Sequence, residues 1–143
     1  QVTSSLMKLF PNYNQHLHML LSINDLDLTK TQLKAILIIA NEQTMSMSEL
    51  ADHMCISREQ ATRVINPLAD RGLIHREIHP GNRRQIDIRL STQGITCLED
   101  MKATYSELLF SSLDRLEPEE LQKFLDAVDV VIHTLGKLLS TAE

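Results

Sequence analysis

SMSELADHMCISREQATRVINPLADRGLIHREIHPGNRRQIDIRL, from Ser46 to Leu90, reads as two short helices joined by a tight turn and followed by a two-stranded hairpin. Ser46 and Glu49 stand at the spacing of a capping box, in which the hydroxyl serves one orphan amide and the carboxylate another. Ser57 and Gln60 repeat the spacing eleven residues on. Two starts so close leave one short helix between them, with the turn at Cys55 and Ile56. Leu50, Ala51 and Met54 give the first helix an apolar face, and Ala61, Val64, Ile65 and Leu68 give the second one at helical period. Arg58, Glu59, Thr62, Arg63 and Asn66 fall on the opposite face, and such side chains reach phosphates and base edges. Gly72 after Arg71 is placed to end the helix. Pro67 lies inside it, removes the bond to the Arg63 carbonyl and disfavours helical geometry at Asn66, so a kink or an irregular last turn is expected.

The hairpin comes next. Leu73, Ile74 and Ile78 form one apolar run, and Ile86, Ile88 and Leu90 another, alternating with Asp87 and Arg89 so that one face should pack inward. Pro80-Gly81-Asn82-Arg83-Arg84 is the turn between them. Two arginines at such a tip suit a minor groove, where the potential is negative. The chain carries a net charge of −5, which by itself argues against nucleic acid. Its distribution reverses that argument: residues 57–90 hold seven Arg against two Asp and two Glu, a balance of +3, and the remainder balances at −8. The positive charge is thus concentrated where a helix-turn-helix with a wing would meet phosphate.

Outward from this stretch the chain reads as helix. Toward the N-terminus, Thr29 or Thr31 caps a helix to about Asn41 carrying Leu33, Ile36, Leu37 and Ala40, with Glu42 to Met45 as a turn. Before it, a helix from Val2 to Ile23 has Leu6, Leu9, Phe10, Tyr13, Leu17, Leu20 and Leu21 on one broad face. Pro11 predicts a kink or a late start near Phe10, and residues 24–28 connect the two helices. Toward the C-terminus, Ser91 caps a helix from Thr92 to about Leu116 with Ile95, Leu98, Met101, Tyr105, Leu108 or Leu109, and Leu113 at helical period. Glu117-Pro118 opens the last helix, with Pro at the tolerated first position and Glu119 and Glu120 near the positive end of the dipole. Its stripe is Leu121, Phe124, Leu125, Val128, Val131, Ile132, Leu135, Leu138 and Leu139. The fold class is therefore mainly α with a small β-hairpin wing.

The 143 residues suggest one domain, and the 43% hydrophobic fraction is ample for a core built from Leu, Ile, Val and Met, with no Trp present. The chain begins at Gln1 rather than Met, as a trimmed N-terminus would, and shows no signal-peptide pattern. No apolar run is long enough to span a bilayer, so no membrane role is expected. Two cysteines make no disulfide framework, and a reducing, cytoplasmic setting follows. There is no glycine-rich phosphate loop, no helical metalloprotease motif and no CxxC, so no catalytic site and no cofactor is expected. Six His offer no chelate: His16 and His18 point to different faces, and His75 and His79 stand four apart along a strand. Cys55, near a helix start, is a candidate redox residue whose oxidation would displace the following helix; a small buried apolar cysteine is the plainer alternative for it and for Cys97.

The series Leu28-Thr29 with Gln32 and Leu33, Ser48-Glu49-Leu50-Ala51, Ser57 with Thr62-Arg63 and Leu68, Arg71-Gly72-Leu73-Ile74 with Arg76, Asn82-Arg83-Arg84, and Leu90-Ser91 with Gly94 resembles the multiple-antibiotic-resistance regulator (MarR) family of bacterial winged-helix repressors. Asn82 departs from the family's usual Asp, which orients the arginine that here is Arg84; the wing contact is correspondingly looser. The resemblance implies a single domain over 1–143, with 1–28 and 92–143 as a helical dimerisation region and 29–91 as the winged DNA-binding lobe. It implies a homodimer on an inverted-repeat site in double-stranded DNA, repressing until a small aromatic or amphipathic anionic effector releases it. Ser57, Arg58, Gln60, Thr62 and Arg63 of the recognition helix and Asn82, Arg83 and Arg84 of the wing would contact DNA. Tyr13, His16, Met19 and Met101 are placed to line an effector pocket. A winged-helix protein-interaction module that never binds DNA is the alternative, which an arginine-rich tip argues against.

Overall fold

Three capping boxes start the central helices. Thr29, Ser46 and Ser57 are in extended backbone, and their hydroxyl oxygens accept from the amides of Gln32, Glu49 and Gln60 at 3.1, 3.1 and 3.2 Å. The side chains of Gln32, Glu49 and Gln60 accept in return from the cap amides at 2.9, 2.6 and 2.9 Å. The computed structural model describes residues 2–23 and 27–140, with all side chains except those of Val2, Phe10, Leu17, Leu20, Leu21, Ile23, Leu139 and Ser140. Phe10, Leu17, Leu20 and Leu21 of the expected first-helix face, Leu139 of the last and most of the 24–28 connector lie outside the described residues. The elements run α1 (Val2–Ile23), α2 (Lys30–Glu42), β1 (Met45–Ser46), α3 (Met47–Met54), α4 (Arg58–Asp70), β2 (Ile74–His79), β3 (Asn82–Leu90), α5 (Thr92–Leu113) and α6 (Pro118–Ser140).

Both helices of the helix-turn-helix end in the same way. After α3, the Ile56 amide donates to Ala51 and that of Cys55 to Asp52; after α4, Leu73 donates to Leu68 and Gly72 to Ala69, all between 2.9 and 3.0 Å. This is the paired closure of a Schellman motif, which needs a left-handed residue at its centre. Gly72 supplies it at φ 73° without a Cβ, whereas Cys55 supplies it at φ 56° with one. The irregular last turn expected at Pro67 does not appear. The helix runs unbroken to Asp70, and its last turn closes through the Arg71 amide on the Pro67 carbonyl at 3.1 Å. Pro67 and Arg63 are both exposed, so water can serve the carbonyl that proline leaves without a donor. Likewise α1 runs through Pro11 from Val2, not from a late start.

The sheet is antiparallel in the order β1-β3-β2. Met45, expected in a turn, instead pairs with Ile88, and Ser46 pairs with Asp87. The hairpin register runs from Ile74 opposite Leu90 to Ile78 opposite Ile86, then shifts at His79. Ile88 and Leu90 pack inward as expected, but Ile86 and Ile78 do not: they are 40% and 64% exposed. Toward the turn these two side chains are not covered by the described residues, so alternation there does not bury a face. Asp87, expected outward, is buried.

The core comprises Leu28, Leu33, Ala35, Ile36 and Ile39 of the α2 region, Met45 of β1 and Met47, Leu50, Ala51 and Met54 of α3. Ala61, Ile65 and Leu68 of α4, then Leu73, Ile74, Ile88, Leu90, Leu98 and Met101 complete it. Ile95 of α5, expected on the buried face, is exposed. Ser91 joins three parts of this lobe: its hydroxyl donates to the Gly72 carbonyl at 2.5 Å and accepts from the Gly94 amide at 2.9 Å, and its amide donates to Leu73 at 3.0 Å. Gly94 is required by that approach, since a Cβ there would lie 2.1 Å from the Leu73 carbonyl oxygen.

The chain divides into two compact units, residues 1–105 and 106–143. The first holds the whole core. The second contains the end of α5 and α6, whose start is tied by the Glu117 amide donating to the Glu120 carboxylate at 3.1 Å. Phe124, Leu125, Val128, Val131, Ile132, Leu135 and Leu138 of α6 are all at least 37% exposed. No helix among the described residues is long and apolar enough to cross a membrane.

Candidate nucleic-acid interface

The exposed face of α4 begins at its cap. Ser57 and Gln60 are engaged with each other's amides, so their first duty is to hold the helix start. The Gln60 carboxamide keeps its NH2 group outward for a further partner. The Thr62 hydroxyl donates to the Arg58 carbonyl at 2.9 Å. Arg58 and Arg63 are exposed, and no carboxylate among the described residues pairs with them. Arg58 therefore stands at the positive end of the α4 dipole, where an anion is favoured, with Arg63 further along the same face.

Asn66 is the exception on this face. Its Oδ1 accepts from Arg76 Nη2 of β2 at 2.5 Å, so it fastens the helix to the wing and that oxygen is not free for a base. Arg76 Nε is buried with no partner among the described residues. The sequence placed Asn66 correctly on the outer face, but the ten-residue reach to Arg76 has no local signature.

At the wing tip, Asn82 Oδ1 accepts from the Arg84 amide at 3.1 Å. The side chain thus closes the turn on the backbone, which an amide does as well as a carboxylate. Arg83 and Arg84 are exposed beyond it. Deeper in the hairpin, His79 Nδ1 lies 2.6 Å from Asp87 Oδ2, and Gln85 Nε2 donates to Asp87 Oδ1 at 2.8 Å. These bonds, the Gln85 one foremost, hold the Asp87 carboxyl below the usual carboxylate range. Both its oxygens are taken up within the hairpin. Ser46 likewise holds the Glu49 carboxyl low, chiefly through its backbone amide.

The remaining candidates separate. Tyr13, His16 and Met19 are exposed on α1, while Met101 is buried in the lobe core. His16 Nδ1 lies 3.2 Å from the Tyr105 hydroxyl of α5, a pairing across 89 residues that no local pattern announces. Burial pushes the Tyr105 phenol up. Cys55 is exposed, against the alternative of a buried apolar cysteine, because its left-handed backbone turns it out of the helix-turn-helix. Cys97 is half-buried, and burial pushes its thiol up. No group of three or more His, Cys, Asp or Glu among the described residues could hold a metal ion.

Set against known proteins, residues 28–86 match the MarR family. The chain is 30% identical over 107 residues to the uncharacterized HTH-type transcriptional regulator ML2140 of Mycobacterium leprae, covering 75% of both proteins. It is 26% identical over 134 residues to the HTH-type transcriptional repressor IacR of Pseudomonas putida, covering 93% of this chain and 78% of that one. Among solved structures, apo MarR of E. coli superposes with a TM-score of 0.75 at 20% identity, covering 92% of this chain and 96% of that one. An S. aureus MepR mutant bound to an oligodeoxyribonucleotide superposes with a TM-score of 0.65 at 18% identity, covering 94% and 98%. These structures share the winged-helix fold.

Proposed function

The chain belongs to the MarR family of transcriptional regulators, and from that premise we propose that it binds an inverted-repeat operator as a homodimer and represses transcription until a small anionic effector releases it. The observation that carries the DNA reading is the set of four exposed arginines on two adjoining elements, Arg58 and Arg63 on α4 and Arg83 and Arg84 on the wing. The recognition helix enters a major groove with Arg58, Gln60, Thr62 and Arg63 toward the DNA, and the wing reaches the flanking minor groove. Ser57 and Asn82 hold those two elements in shape and lend contacts at their edges.

The homodimer is supported by the apolar faces of α1 and α6. Leu6, Leu9 and Tyr13, and then Phe124, Val128, Val131 and Leu135, are exposed on a single chain, more apolar surface than a monomer usually leaves in water. In a two-fold dimer, residues 1–28 and 92–143 supply the interface and 29–91 the two reading heads, about one DNA turn apart. Repression accords with the named repressor among its relatives. An effector that prefers a dimer whose heads are wrongly spaced lowers DNA affinity by linkage; Tyr13, His16 and Met19 on α1 are its candidate contacts, and Met101 contributes from the core side. The cytoplasm is the compartment in which such a protein meets DNA. Its matched relatives are regulators, not enzymes.

Fluorescence anisotropy against the chain's own upstream DNA, titrated with salt beside a scrambled duplex, tests this reading. Arg84→Ala should weaken binding and lower the log–log salt slope by about 1. Equal slope and affinity would remove the wing from the interface. No binding by the wild type at low salt would favour a protein-interaction module.

A further inference from the structure

We propose that the groove between the starts of α3 and α4 and the wing seats one phosphate of the DNA strand that crosses it, an inference that rests on the DNA-binding reading above. The groove has a volume of about 230 Å³. Arg58, the first residue of α4, and Arg84 of the wing contribute to its lining, as do Met47 and Ser48, the first two residues of α3. No acidic residue lines it.

The placement follows from the duplex itself. A helix in a major groove and a wing in the next minor groove are separated by one sugar–phosphate strand, so the protein surface between them must face that strand. Here that surface is supplied with donors from three elements. Arg58 and Arg84 carry full charges and have no carboxylate partner among the described residues. The Met47 and Ser48 amides are among those a helix start leaves without intrahelical acceptors. The Ser46 hydroxyl oxygen already serves the Glu49 amide, so the cap does not satisfy them. Two carboxylates of the neighbouring elements are engaged elsewhere: Glu49 is folded back on the Ser46 amide, and Asp87 is held by Gln85 and His79. The Ser48 hydroxyl adds a donor to the lining. Two guanidinium groups and a helix start converging on one polar groove suit a phosphodiester better than a base edge.

This assigns different work to the two arginines of α4. Arg58 holds the backbone and contributes equally to every sequence. Arg63, one helical turn further and outside the groove, is left to discriminate bases. The segment 46–48 becomes part of the interface although it lies on neither the recognition helix nor the wing.

The experiment reverses the charge of the groove at Ser48 in the full chain, on a duplex selected from a random-sequence library by the wild-type protein. Ser48→Glu should weaken binding about tenfold and lower the salt slope by about 1, and Ser48→Lys should strengthen binding and raise the slope. Opposite signs at one position separate a local charge effect from lost folding. Replacing single phosphates by neutral methylphosphonates should identify one position per half-site that weakens the wild type and leaves Ser48→Glu unaffected. If the wild type binds and both variants match it, or if no single phosphate is coupled to Ser48, the seat does not exist. Inorganic phosphate competing with DNA more strongly than chloride at equal ionic strength, with no single DNA phosphate coupled to Ser48, would reassign the groove to a small phosphate compound and overturn the proposal. A wild type that selects no duplex overturns the DNA reading itself.

Discussion

The short α2 and the long α6 spend their apolar residues in opposite ways. In 13 residues α2 buries Leu33, Ala35, Ile36 and Ile39 inside the lobe, each at 1% exposure or less. In 23 residues α6 carries a broader stripe and leaves Phe124, Leu125, Val128, Val131, Ile132, Leu135 and Leu138 in solvent. The described side chains of α1 follow α6. An amphipathic period states that a face will be buried, but not in which chain. The lobe satisfies its periods within one protomer, and the terminal helices leave theirs in solvent, open to the second copy proposed above.

That contrast can be broken by where a deletion is felt. Ile65→Ala, in the lobe core, should cost about 3 kcal/mol in urea unfolding, with the loss of α4 packing independent of protein concentration. Gly94→Ala should follow at about 2 kcal/mol in the same measurement, because the added methyl meets a backbone carbonyl that cannot move alone. Val131→Asp on α6 should instead show itself in sedimentation, weakening self-association about thirtyfold, near 2 kcal/mol, with the lobe's fold retained in circular dichroism. A concentration-independent loss of stability on Val131→Asp would place that face within the protomer and remove the contrast.

The two helix ends sharpen it at a finer scale. Gly72→Ala forces a Cβ into a left-handed turn beside Gln93 and should cost about 1 kcal/mol. Cys55→Gly relieves the same conformation and should be neutral or raise stability by a few tenths of a kcal/mol, the greater freedom of glycine in the unfolded chain offsetting part of the gain. Thermal melts of the two variants should therefore move in opposite directions, or only the first should move. The smallest effect concerns acid. The folded-state pKa of Glu49 is depressed, so its contribution is present above the unfolded carboxylate pKa and lost as pH falls through the folded value. Glu49→Gln keeps a capping side chain without the charge. The stability difference between wild type and variant should shrink as pH falls from about 6 to about 3.

Local chemistry accounts for what the sequence made legible. Caps at Ser46 and Ser57 and the closing Gly72 involve partners within a few residues and stand where spacing put them, as do the outward arginines of α4; the hairpin turn is tighter than its spacing suggested, at Pro80 and Gly81, with Asn82, Arg83 and Arg84 already in β3. What stayed hidden is paired at a distance. Met45 was unreadable as a strand because two residues gain that state only from β3. Asp87 is buried by partners at 79 and 85 and by β1 beside it. Asn66 was placed on the right face, but its bond to Arg76 runs across the turn and left no local signature. Ile78 and Ile86 obey alternation on a part of the ribbon that the described residues leave exposed. Of the candidate interface, the side-chain types were readable and the groove joining segment 46–48 to the wing was not.

The reciprocal caps at Ser46 and Ser57 have a kinetic consequence. Each reading element closes on its own side chains, so the surface offered to DNA is ordered before the encounter and little conformational entropy is lost on docking. Association is then governed by collision and charge, with a rate that falls steeply with ionic strength and a heat-capacity change free of any coupled folding of the heads. Discrimination between sequences is accordingly exercised in how long a complex survives, not in how fast it forms.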